Sequence, residues 1–134
     1  MLSDIYQNAQ MGIEGIDMVL YKIRSKKLYK IINKEKKEYQ KIIKKAKCLA
    51  KENKEKITPV SSIAKLSSEI MSNFKLMKND SDEEIVKMMI EGTYKSLGLL
   101  TGKLIIQNNE KTRKLGQEFV NLLEDNIKEL KNVY

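Results

Sequence analysis

Glu35 and Glu38, three residues apart in a lysine-rich stretch, with Tyr39 one turn after Glu35, are the groups best placed for interior chemistry. Glu14 and Asp17 repeat the same three-residue spacing. Such oxygen donors suit iron or manganese held by carboxylates alone. The 134-residue chain has no histidine and a single cysteine, Cys48. That removes the Ser-His-Asp and Cys-His nucleophile pairs and His-ligated zinc or haem. It also removes an intrachain disulfide and any multi-thiolate centre.

Glu35 falls on an apolar helical stripe, between Ile32 and Tyr39. A lone buried carboxylate costs several kcal/mol unless it is paired, hydrogen-bonded, metal-bound or protonated, and Tyr39 is the nearest candidate donor. One reading is a metal site built from Glu35 and Glu38 with help from Glu14 or Asp17. The plainer one, a hydrogen-bonded structural glutamate, is preferred, so no cofactor and no catalytic residue are expected.

Charge is distributed unevenly. Residues 22–56 hold fifteen basic and four acidic side chains, whereas the remainder of the chain is slightly acidic. Lys34, Lys37, Lys41, Lys44 and Lys45 lie opposite the apolar stripe, where they could meet nucleic acid or an anionic membrane surface. Against this, Arg24 is the only arginine in the segment and no aromatic stacking platform accompanies the lysines. A solvated helix face explains them more simply.

The elements that must position these residues are helices. One proline and six glycines punctuate a chain rich in Lys, Glu, Leu and Ile. Apolar residues at spacings of three and four predict long helices at about 4–24, 27–53, 82–107 and 110–132 in a single domain, 1–134. A short helix at about 62–78 belongs to the crossover between the second and third long ones. Ser3 is the expected N-cap of the first helix, Ser81 with Glu84 has capping-box spacing, and Asn108-Asn109 marks the last break.

The simplest arrangement is an all-α, antiparallel four-helix bundle. If its helices alternate up and down, the second and last run parallel, and Glu35 and Asn126 then differ in level by about 15 Å at about 1.5 Å per residue. Gly12, on the apolar stripe, allows close approach of another helix, whereas Gly15 has no evident reason and Glu14 points nearly opposite the core. The 82–107 helix is apolar on two sides, which predicts a homodimer through it.

The longest unbroken apolar stretches are only four residues, and no basic residue precedes Lys22. No transmembrane segment or signal peptide is therefore expected, and a reducing cytoplasmic setting suits the lone cysteine.

Four features in this order carry a resemblance: Met11-Gly-Ile-Glu-Gly-Ile-Asp17, Glu35-Lys-Lys-Glu-Tyr39, a Ser-rich crossover from Ser61, and Met89-Ile-Glu-Gly-Thr93. Together they resemble small bacterial ferritin-like four-helix-bundle proteins of unknown function, over nearly the whole chain. The resemblance implies the fold. Working di-iron relatives use a glutamate on each of two helices and Glu-x-x-His on each of the other two. Here Glu38 stands where histidine is wanted, Glu118 is followed by Asn121, and Thr93 takes an inward position where a ligand belongs. The expected role is thus a non-catalytic interaction or structural protein.

Overall fold

Three short polar side chains set where helices begin. The Ser25 hydroxyl accepts from the Leu28 N–H at 3.2 Å, the Ser81 hydroxyl from Glu84 at 3.3 Å, and Asn109 Oδ1 from Thr112 at 3.0 Å. Each satisfies a backbone donor that a first helical turn leaves free. The computed structural model describes residues 1–58, 79 and 81–133, and among them it is all-helical, without strands. Its helices are α1 (Leu2–Val19), α2 (Lys26–Glu52), α3 (Asp82–Ile105) and α4 (Glu110–Lys131). The short helix expected at 62–78 lies outside the described residues.

Two expected helix limits change. Ser3 does not cap α1, which begins one residue earlier; its hydroxyl instead accepts from the Thr58 N–H at 2.8 Å and ties the chain after α2 to the start of α1. At its other end α1 stops at Val19, short of residue 24. Leu20–Lys22 tighten into a 3-10 turn and Ile23 is extended, with φ −71° and ψ 129°. The capping box at Ser81 is half-formed, because the Ser81 N–H goes to Asn79 Oδ1 at 3.0 Å rather than to Glu84.

α1 packs most extensively on α2, and α3 on α4. Asp82 then fixes how the two pairs meet. Its carboxylate accepts from the Arg24 and Ser25 N–H groups at 2.9 and 2.8 Å, so α2 and α3 start at the same end. Ion pairs Lys34–Glu129, Lys45–Glu118 and Glu52–Lys111 join α2 to α4 with one number rising as the other falls. α2 and α4 therefore run in opposite senses, not parallel as simple alternation requires. Lys103–Asp4, at 3.1 Å, sets the end of α3 beside the start of α1.

The core between the helices includes Ile5, Ile16, Leu28, Ile32, Ile85, Leu100, Phe119, Leu123 and Leu130, all essentially inaccessible. Burying each contributes about 1.5–3 kcal/mol. Among the described residues no helix is long and apolar enough to cross a membrane.

Gly12 makes room for a ring rather than for a backbone. A methyl group there would stand 2.7 Å from Tyr39 Cε2, and Tyr39 also meets Phe119 edge-on with centroids 6.0 Å apart. At Gly15 an added methyl meets nothing within 4 Å. Gly12→Ala is expected to lower the unfolding free energy by about 1–3 kcal/mol through overpacking. Gly15→Ala is expected to raise it by about 0.5–1 kcal/mol through helix propensity. Urea titrations of both variants check the pair, and equal effects would contradict the close seating of Tyr39.

Candidate functional site

The α2 stripe that buries Leu28, Ile32, Tyr39, Ile42 and Ala46 also buries Glu35, because position 35 falls between 32 and 39 on the same face. Glu35 is 1% exposed, and neither of its carboxylate oxygens has a hydrogen-bond partner. Burial first, then the neighbouring charges of Glu129 and Glu38, push its pKa up to about 8. Lys34 is the opposing charge, and its ammonium is already hydrogen-bonded to both Glu129 oxygens, at 3.2 and 3.0 Å. Glu38 is also raised, chiefly by burial, and its Oε1 is buried without a partner.

Tyr39 is not the donor that Glu35 lacks. Its hydroxyl lies near the Asn126 and Thr93 side chains, and burial and the Glu35 charge raise its pKa against the smaller downward pull of those two groups. Thr93 Oγ1 in turn donates to the Met89 carbonyl at 2.7 Å. Asn126 is 3% exposed and its Nδ2 has no partner. Among the described residues the interior thus holds Glu35 and Tyr39 on α2, Thr93 on α3 and Asn126 on α4, with Thr112 buried in the first turn of α4.

The expected 15 Å offset between Glu35 and Asn126 does not occur. The ion pairs between α2 and α4 place residue 35 near the level of residue 128, so Asn126 reaches Tyr39. The sequence signal for this group was the run of polar residues at inward positions. What misplaced it was the assumed direction of α4.

The four candidate metal ligands do not gather. Glu14, expected to face away from the core, is half-buried with Oε2 inaccessible and unpartnered. Asp17 is exposed and bonded to Lys36 at 2.6 Å. Among the described residues no three His, Cys, Asp or Glu side chains form a group able to hold a metal ion. The donor set among the described residues does not fit a two-metal carboxylate centre. Cys48 is exposed.

A half-open cleft of about 120 Å³ lies between α1 and α3, lined by Met11, Gly15, Met88, Met89, Gly92 and Thr93 among others. On the outer side of α2 the five candidate lysines separate into two kinds. Lys34 and Lys45 are ion-paired to α4, whereas Lys37, Lys41 and Lys44 are exposed and form no ion pair among the described residues. No protein family, characterised protein or solved structure matches the chain.

The raised Glu35 pKa has a definite sign for stability. The folded protein holds this proton more tightly than the unfolded chain, whose glutamates titrate near 4.5. The contribution is complete below that value and is lost as pH rises to about 8, at a slope approaching about 1.4 kcal/mol per pH unit. Glu38 adds in the same sense. Unfolding free energies measured from pH 5 to 8 should fall for the native chain, and Glu35→Gln should flatten that slope. An unchanged slope in the variant would show that Glu35 is not the titrating group.

Proposed function

We propose that this chain is a ferritin-like bundle that has kept the topology without a reaction centre and acts through its outer faces. Three features of the helix arrangement support the topology. α1 and α2 form a pair, α3 starts beside the start of α2, and α4 returns against both. Joining the end of α2 to the start of α3 then takes one long crossover, as in ferritin-like folds. In this reading the bundle's helices are antiparallel within the α1–α2 and α3–α4 pairs.

The observation that carries the absence of chemistry is Tyr39. Its ring stands between Gly12 and Phe119, and its hydroxyl lies near the Asn126 and Thr93 side chains. Where relatives with working sites converge carboxylates and histidines, this interior is filled by an aromatic side chain. A reducing interior of a cell suits the exposed thiol of Cys48.

The outer face of α3 supplies the interaction surface, and a second copy of the chain is its partner. Leu99, Ile105 and Ile106 are 49%, 81% and 75% exposed, and methyl groups added at Gly98 and Gly102 would meet nothing within 4 Å. Apolar side chains flanking small residues allow two helices to approach closely while removing oily surface from water.

Two measurements test this reading. Sedimentation at micromolar concentration should show a dimer that Leu99→Glu with Ile106→Glu converts to a monomer, and a monomeric native chain would end the pairing proposal. Protein purified without chelator should contain no stoichiometric metal. Stoichiometric iron or manganese that disappears in Glu35→Ala would overturn the non-catalytic reading in favour of a carboxylate metal site.

A further inference from the structure

We infer that the outward ridge of α2 binds the phosphate backbone of duplex nucleic acid without reading its sequence. The inference rests on the reading of a surface-acting bundle and names one partner for it. Lys26, Lys30, Lys37, Lys41, Lys44 and Lys51 recur at spacings of three, four and seven, which sets them on one line of the helix. All six are exposed, and none forms an ion pair among the described residues. Asn33, Gln40 and Cys48 fill the gaps, so the line contains no carboxylate. From Lys26 to Lys51 it extends about 37 Å at about 1.5 Å per residue.

Three other α2 lysines show what happens where an acidic side chain of a neighbouring helix comes within reach. Lys36 on one side of the ridge is matched by Asp17 of α1, and Lys34 and Lys45 on the other by Glu129 and Glu118 of α4. Among the described residues carboxylates form ion pairs on the flanks and none on the ridge, where Glu38, one turn before Lys41, is an acidic group within electrostatic reach. Six like charges on one line repel one another in the free protein, and an anionic partner relieves that repulsion.

The shape of the charge selects the partner. A flat lipid surface pressed on α2 would also approach the Asp17, Glu118 and Glu129 borders, and the ridge offers no apolar side chain to enter a bilayer. A phosphate rail is narrow and linear, and it meets the lysines alone. Lysine is a compact point charge suited to phosphate, whereas base edges are read more often by the planar fork of arginine.

The test measures binding of a 20-base-pair duplex of mixed sequence against salt concentration. With about six phosphates neutralised, the logarithm of affinity should fall with the logarithm of salt at a slope of about −5, a loss of about a thousandfold between 50 and 200 mM. Lys37→Gln, Lys41→Gln and Lys44→Gln together should make the slope shallower by about 3. The control Lys34→Gln with Lys45→Gln should leave it nearly unchanged, with helicity of all variants checked by circular dichroism. No duplex binding at 50 mM salt overturns the inference. So does equal weakening by both variants, or binding to vesicles of anionic phospholipid but not to duplex. Such a failure leaves the surface-acting bundle untouched, because that reading is decided by metal content and oligomeric state.

Discussion

An uncharged Glu35 is the condition under which α2 can seat against its neighbours. At 1% exposure its carboxylate has no donor to replace the water it lost, and the other carboxylates around it, Glu38 and Glu129, would repel a negative charge. Lys34 could compensate, but its ammonium faces Glu129. The proton on Glu35 therefore acts as a structural component, since without it the most buried face of the longest helix would hold an uncompensated anion. Replacing the carboxyl by an apolar group of similar size need not weaken such a core, so its presence is not explained by stability alone.

The residues one turn further along α2 show how the remaining interior space is used. Tyr39 takes the centre of the bundle because α1 offers Gly12 there and α4 offers an aromatic edge at Phe119. In this dry interior α3 and α4 bring the polar side chains of Thr93 and Asn126 near its hydroxyl. The polar group is thus split. The Thr93 hydroxyl turns to the Met89 carbonyl, Asn126 lies near Tyr39, and Glu35 stands beside them unpartnered. The Asn126 amide nitrogen and both Glu35 oxygens are the groups left over.

Charge follows the same division between committed and uncommitted groups. Ion pairs along the α2–α4 and α1–α2 seams are exposed, and each contributes little, about 0–1 kcal/mol. Their value lies in register, because Lys34, Lys45 and Lys111 meet their partners only when the two helices run in opposite senses. Asp82 reinforces that arrangement by binding the backbone where the 3-10 turn gives way to α2. Six of the lysines that form no ion pair among the described residues stand in line on the outer ridge.

Much of this was readable from local pattern. The apolar spacing that places Glu35 beside Ile32 and Tyr39, the cap at Ser81 and the break at Asn108-Asn109 depend on neighbours within a few residues, and helical periodicity is fixed at that range. The sequence by itself thus determined that the chain is helical, which face of α2 is buried and that a carboxylate lies on it. The direction of α4 relative to α2 could not be read, because it depends on the path of the crossover and on contacts between residues some 60 to 95 positions apart. Only the tertiary structure decided that Asn126 reaches Tyr39, that Gly12 seats a ring, that Asp17 turns to Lys36, and which lysines stay unpaired. Each of these outcomes depends on what a second helix brings to the same level, and no single helix carries that information.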